Sequence, residues 1–113
     1  MRAEIITIGT ELLLGEIDDT NVTYLASKLR EIGVDLYYRT TVGDNEHRIA
    51  EVIDNALNRV DVVITSGGLG PTVDDVTREG IARATGRPLE FSQELFDQIA
   101  DRCRRFDVRM SEN

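Results

Sequence analysis

The stretch VDVVITSGGLGPTVDD, residues 60–75, decides the fold of this chain. Its first part contains an uninterrupted apolar run at residues 62–64, which is typical of a strand covered by helices on both sheet faces. Three glycines follow, and two aspartates then stand where a helix is predicted to begin. A buried strand that passes through a glycine-rich turn into a helix is the building unit of parallel α/β sheets.

The same unit occurs twice earlier in the chain. Short β-rich runs predict strands at residues 3–8, 34–40 and 60–65, with a loop at 9–20. Apolar residues at helical spacing predict helices at 22–32, at 49–57, from 74 or 75 to Gly86, and from the cap Ser92 through an apolar face ending at Phe106. This order predicts an α/β three-layer sandwich with a mostly parallel sheet. If the strand order begins 2-1-3, the loops after strands one and three flank a crevice.

Composition and charge narrow the classes of partner. The 113 residues include 13 basic and 21 acidic side chains, for a net charge of −8, so we expect neither nucleic acid nor an anionic membrane as a partner. No apolar run approaches the roughly 20 residues of a membrane span, and no signal sequence is evident, which predicts a cytoplasmic protein. The single cysteine, Cys103, lies on an apolar helix face and is expected to be buried.

The glycine-rich turn is the first candidate site. Gly67, Gly68 and Gly70 leave backbone N–H groups free of side-chain obstruction beside a helix start, which favours phosphate or carboxylate binding. A tight turn that needs positive φ angles explains the same glycines without a ligand. Neither established phosphate-loop pattern, G-x-G-x-x-G nor G-x-x-x-x-G-K-[ST], is present.

Acidic residues near the turn raise a question of charge. A carboxylate 4 Å from a phosphate repels it by roughly 4 kcal/mol at an effective dielectric constant near 20. Asp74 and Asp75 therefore either cap the helix and point away, or hold a divalent cation such as Mg²⁺. Asp44 and Glu11 follow the other two strands and would complete an acidic rim, although a turn or cap explains Asp44 and a solvated loop acid explains Glu11.

Three segments resemble a known family. They are IITIGTELLLGEIDDTNVTYLASKL at residues 5–29, TTVGDNEHRI at 40–49 and TSGGLGPTVDDVT at 65–77. Together they resemble the N-terminal molybdopterin-binding-type domain of the competence/damage-inducible CinA family, which is similar to the MoaB and Mog proteins of molybdenum-cofactor biosynthesis. The resemblance spans nearly the whole chain and implies one domain, residues 1–113, with the MoaB/Mog-like fold.

The resemblance also implies a function and a site. The implied ligand is molybdopterin or a nucleotide, and the implied site residues are Thr10, Glu11, Asp44, Gly67, Gly68, Gly70, Thr72, Asp75 and Thr77. Our leading hypothesis is metal-dependent ADP-ribose pyrophosphatase activity, with Asp75 and Asp44 catalytic and Asp75 binding the metal. The alternative is a non-catalytic pterin- or nucleotide-binding module.

This sequence differs from the family in one respect, its length. Domains of this family run some tens of residues further and add strands and a second ligand-binding loop, so the C-terminal part of the domain is expected to be missing here. A third strand left unpaired at the sheet edge exposes backbone donors and acceptors. We therefore expect a homo-oligomer.

Overall fold

The computed structural model of the chain describes residues 1–105. The strands are β1 (Arg2–Ile8), β2 (Asp35–Val42) and β3 (Val62–Ser66), and the helices are α1 (Thr10–Leu13), α2 (Thr20–Glu31), α3 (Glu46–Leu57), α4 (Thr77–Thr85) and α5 (Gln93–Arg105). The three strands are parallel in the order β2-β1-β3, so the predicted α/β class and the assumed strand order are confirmed.

Two apolar cores lie on opposite faces of the central strand, as the alternation of side chains along β1 requires. On one face, Ala3 and Ile5 pack against Val22 and Leu29 of α2. On the other face, the β1 residues Ile6 and Ile8 pack with Val42 of β2 and with the α3 residues Ile49, Ile53 and Ala56. These helix, sheet and helix layers form the predicted three-layer arrangement.

Helix α4 packs closely against α3 at a glycine. A Cβ atom on Gly80 would overlap the side chain of Ile49. Glycine inside a helix costs about 1 kcal/mol relative to alanine, and here it allows the two helices to approach. Gly86 then ends α4 in the left-handed conformation, as predicted.

A charged side chain is buried in β1. Glu4 is fully buried, and its two carboxylate oxygens accept hydrogen bonds of 2.8 Å from the Nε and Nη2 of Arg59. The Thr40 hydroxyl donates a further bond of 2.7 Å, and the Arg59 guanidinium lies 3.7 Å from the centre of the Tyr38 ring. Burial raises the pKa of Glu4, but the bonds from Arg59 and Thr40 and the Arg59 charge outweigh it, so the pKa lies below its ordinary value.

Several predicted details were wrong. The predicted loop at 9–20 contains the short helix α1, and α4 begins at Thr77 instead of at residue 74 or 75, because the intervening residues form a hydrogen-bonded turn. Cys103 is only partly buried, since α5 has no buried residue among those described. Phe106, predicted to end the apolar face of α5, lies outside the described residues. Within residues 1–105, no helix is long and apolar enough to cross a membrane.

Candidate functional site

The loops after the three strands meet at the carboxyl edge of the sheet. The Gly9 amide, directly after β1, donates to the Val42 carbonyl at the end of β2 with a length of 2.9 Å. On the other side, a Cβ atom on Gly67 would overlap the carbonyl oxygen of Ile8, so the loop after β3 lies directly against the end of β1. The parallel order thus brings all three sequence-predicted loops to one edge.

The loop after β3 adopts a backbone that requires glycine. Gly67 and Gly68 have φ angles of 97° and 68°, in the left-handed region that disfavours other residues. The Thr77 hydroxyl donates to the Gly67 carbonyl at 2.8 Å, and the Thr77 amide donates to the Gly68 carbonyl at 3.3 Å. Thr77 is fully buried, and a Cβ on Gly68 would overlap its hydroxyl oxygen. Thr77, predicted as a ligand contact, therefore lies beneath the loop and fixes its shape.

Two neighbouring backbone donors of this loop are left open. The two glycine carbonyls are turned toward Thr77 at the start of α4. Within residues 1–105, the amides of Gly68 and Leu69 donate to no protein acceptor. Leu69 is itself exposed. Unpaired amides that follow one another in a left-handed turn form a concave arrangement of donors suited to an anion.

Asp75 closes the second half of the loop. One of its carboxylate oxygens accepts bonds from the Thr72 hydroxyl at 2.5 Å and from the Thr72 amide at 3.1 Å. The bond from the Thr72 hydroxyl lowers the pKa of Asp75; burial opposes this, and the Thr72 and Gly70 amides add to the lowering, so the pKa lies below its ordinary value. Asp75 is thus an ionised carboxylate held by neutral donors of its own loop. Asp74, the predicted cap, does not cap α4, whose N-cap Val76 makes no side-chain cap bond.

Asp44 and Thr10 join the loops after β1 and β2. The Thr10 amide donates to Asp44 Oδ2, and the Asp44 amide donates to Thr10 Oγ1, both at 3.2 Å. Because Thr10 Oγ1 accepts in this pair, its hydroxyl proton remains available to a ligand. The cap of α3 is Asn45, whose side chain accepts from the Arg48 amide at 2.9 Å, so Asp44 is not the cap.

Glu11 occupies the first turn of α1 and folds back over Gly9. A Cβ atom on Gly9 would lie 2.7 Å from Glu11 Oε1. The structure therefore places every predicted site residue on this edge or directly beneath it. The open amide of Leu69 was missed by sequence reasoning, because no side-chain property marks a free main-chain donor.

A divalent cation would have few protein ligands here. No group of three or more His, Cys, Asp or Glu side chains that could hold a metal occurs in the part of the chain that the structure describes. Mg²⁺ is commonly held by one or two carboxylates together with substrate phosphates and water. Asp44 and Asp75 are therefore not part of a metal cage formed by side chains of the described residues.

The comparisons with known proteins agree with this fold. Residues 4–110 match a family described as a probable molybdopterin binding domain. The chain belongs to this family. Among solved structures, a tungsten cofactor synthesizing protein MoaB from Pyrococcus furiosus has a TM-score of 0.65 at 28% identity, covering 71% of this chain and 50% of that chain.

Within the family, the chain is similar to CinA proteins. A competence-damage inducible protein of Symbiobacterium thermophilum is 52% identical over 113 residues, which are 100% of this chain and 26% of the relative. The CinA structure from Thermoplasma acidophilum has a TM-score of 0.83 at 32% identity, covering 98% of this chain and 64% of that chain. The chain thus spans about a quarter of the length of the curated relative.

Proposed function

We propose that the loop at residues 67–72 binds the phosphate group of a pterin or nucleotide ligand. The observation that supports this is the pair of open amides at Gly68 and Leu69, combined with the two glycine carbonyls turned away toward Thr77. An anion at this loop would meet N–H donors, because the carbonyl oxygens that would repel it already accept bonds from Thr77. A ligand phosphate would replace the water that otherwise satisfies these amides.

The remaining site residues have different roles in this proposal. The Thr72 amide and hydroxyl already donate to Asp75, and the Gly70 amide helps to lower the Asp75 pKa, so both residues hold the loop's shape instead of contacting the phosphate directly. At the neighbouring strand ends, the free hydroxyl proton of Thr10 and the second carboxylate oxygen of Asp44 provide one donor and one acceptor. Such a pair suits the polar ring edge of a pterin or purine, while Glu11 lines the same rim.

Calorimetry with a matched glycine pair tests the binding. Titration with ADP-ribose, and separately with a phosphorylated pterin, should show 1:1 binding to the chain. Gly68→Val should abolish it, because its side chain would collide with Thr77. Gly86→Val is the control, since Gly86 has a similar φ of 65° with nothing within 4 Å. Equal binding by both variants, after circular dichroism shows that both fold, would contradict the proposal.

Metal-dependent hydrolysis of ADP-ribose is the second candidate. It is favoured by the two carboxylates at the same edge, Asp44 and Asp75, of which Asp75 is ionised and held in place by Thr72. A divalent cation bound there would neutralise phosphate charge and activate a water molecule. The chain's own contribution would be to hold the diphosphate on the amides of Gly68 and Leu69 and to keep Asp75 deprotonated.

An activity measurement separates the two candidates. ADP-ribose is incubated with the chain with and without Mg²⁺, and AMP and ribose 5-phosphate are quantified. Turnover that needs Mg²⁺ and is lost in Asp75→Asn but kept in Asp74→Asn supports the enzyme. Binding of ADP-ribose without turnover would contradict the hydrolase and support a non-catalytic binding module.

We also propose self-association through the outer edge of β3. In residues 1–105 this strand pairs only with β1, so its other edge offers unpaired backbone groups. Light scattering coupled to size exclusion should give a mass above one chain. A monomer at all concentrations would contradict this.

A further inference from the structure

A second concave surface lies beside β2, the edge strand on the other side of β1 from β3. It is a groove of about 590 Å³ between α2 and the edge strand β2. This volume falls in the range of small-molecule sites, roughly 300–1,000 Å³. Hydroxyl and guanidinium groups dominate its polar lining, from Thr23, Ser27, Arg30 and Arg39.

A β-bulge turns Arg39 into this groove. Leu36 pairs with Ala3 of β1, but the next paired residue is Tyr38, opposite Glu4, so Tyr37 is the extra residue. Arg39 consequently pairs with Ile5, whose side chain packs on the α2 face. In a strand without a bulge, regular alternation would place Arg39, three residues after Leu36, on the α3 face. Bulges that re-aim a side chain are over-represented next to functional sites.

Helix α2 supplies the facing wall. Thr23, Ser27 and Arg30 are spaced by four and three residues, so they lie along one side of the helix. The floor between the two walls is apolar and includes Ala26 and Leu36. A ligand in the groove would thus contact donors on both sides and apolar surface beneath.

The charges in the groove are unbalanced. Neither Arg30 nor Arg39 has an ion-pair partner within residues 1–105, although the chain has a net charge of −8. Asp35 also lines the groove, so its two arginines and one aspartate give the lining a net charge of +1. An acidic protein that leaves two arginines unpaired in one groove has a local preference for anions.

We propose that this groove binds a small organic oxyanion, a phosphate or carboxylate attached to a flat apolar body. The two guanidinium groups offer planar, paired donors that match either oxyanion, and the Thr23 and Ser27 hydroxyls can donate to its remaining oxygens. The apolar floor takes the body of the ligand. This site is independent of the loop after β3 and does not rest on the function proposed for that loop.

Residue-resolved NMR of the ¹⁵N-labelled chain tests the proposal. Phenyl phosphate and benzoate are titrated as the phosphate and carboxylate probes, with neutral benzamide as the control for the ring alone. Amides at residues 23–39 should shift saturably with at least one oxyanion and not with benzamide. Shifts confined to residues 67–77 would place the anion in the other loop and overturn the groove site.

Two matched arginine variants complete the test. Arg39→Gln should weaken the oxyanion by about tenfold, and Arg39→Lys should restore part of the loss. Arg102→Gln is the control, because Arg102 is exposed on α5, away from the groove. Equal weakening by Arg39→Gln and Arg102→Gln would show non-specific charge attraction and overturn the proposal, as would equal shifts with benzamide.

Discussion

The two ends of the three-stranded sheet hold carboxylates in contrasting ways. Near the start of β1, Glu4 is fully buried and is neutralised by Arg59 with two bonds of 2.8 Å. At the carboxyl edge, Asp44 and Asp75 are held by amides and hydroxyls, and neither has a cationic side chain as a bonding partner within residues 1–105. The Glu4 charge is therefore neutralised by Arg59, whereas the charges of Asp44 and Asp75 are not neutralised by a bonded cationic side chain among the described residues.

This difference separates a charge that the protein neutralises itself from one that it leaves available to the proposed ligand. The Glu4 carboxylate has its oxygens occupied by Arg59 and Thr40, so no ligand is needed to explain it. The Asp75 carboxylate is ionised beside open amides, a combination that favours an anion with a counter-ion over an anion alone. Substitutions at Glu4's partner, in the glycine-rich loop and at Asp75 should therefore have different effects on stability and binding.

Arg59→Met should lower the melting temperature by about 8 °C at pH 7, because it leaves the buried Glu4 carboxylate without a partner. This value allows for the partial exposure of Arg59 to solvent. Arg2→Met is the control, since the Arg2–Asp61 pair is half exposed at 3.5 Å and contributes little. Similar losses in calorimetric scans of the two variants would show that burial of Glu4 has no special cost.

Gly68→Ala should lower the melting temperature by about 6 °C and weaken ADP-ribose binding by about tenfold or more. Its φ of 68° strains any side chain, and its Cβ also meets the hydroxyl of Thr77. Gly86→Ala has nearly the same φ, 65°, with open space around it, and should cost about 3 °C with binding unchanged. If the two variants have the same melting temperature, contact with Thr77 adds no cost to a side chain at position 68.

The stability gap between the wild type and Arg59→Met should narrow by about 3 °C in acid. The pKa of Glu4 is lowered in the folded state, so its stabilisation is present above the unfolded pKa and is lost as the pH falls through the folded pKa. The narrowing should therefore begin near pH 4 and continue below it. A gap that stays constant from pH 7 to pH 3 would be incompatible with an ionised Glu4.

Asp75→Asn should have the smallest effect, a gain of about threefold in ADP-ribose affinity when divalent ions are removed by chelation, because one repulsive charge is lost. With Mg²⁺ added, the variant should bind more weakly than the wild type if Asp75 recruits the cation. Asp74→Asn changes the same charge one residue away but leaves the Asp75 carboxylate that accepts from Thr72 intact, and should alter the affinity less than Asp75→Asn. Identical titrations for both variants would exclude a specific role for Asp75.

Most of the architecture followed from local patterns. The β-rich runs at residues 3–8 and 34–40 and the apolar run at 62–64 located the strands, and the helical spacing of apolar residues at 22–32 located α2. The short helix α1 was missed because a four-residue helix without buried residues leaves no apolar period. The turn at residues 72–75 replaced the predicted first turn of α4 because the Asp75 side chain bonds the Thr72 backbone instead of capping the helix.

Contacts between residues far apart in the sequence could not be predicted from local patterns. Glu4 interrupts an apolar strand, but nothing in the sequence near it identifies Arg59, 55 residues away, as its partner. The bulge at Tyr37 likewise depends on the register between β1 and β2, which hydrophobic pattern alone did not fix. At the candidate site, residue types indicated an anion, whereas the backbone orientation that leaves two amides open appears only in three dimensions.

The direct test of the central claim is the chemical shift of the Gly68 and Leu69 amides during titration of the ¹⁵N-labelled chain with ADP-ribose. Both resonances should move saturably, with the dissociation constant found by calorimetry, while the Gly86 amide stays fixed. Saturable binding that leaves Gly68 and Leu69 unmoved would contradict the account, because the ligand would then occupy a surface other than the open amides of the glycine-rich loop.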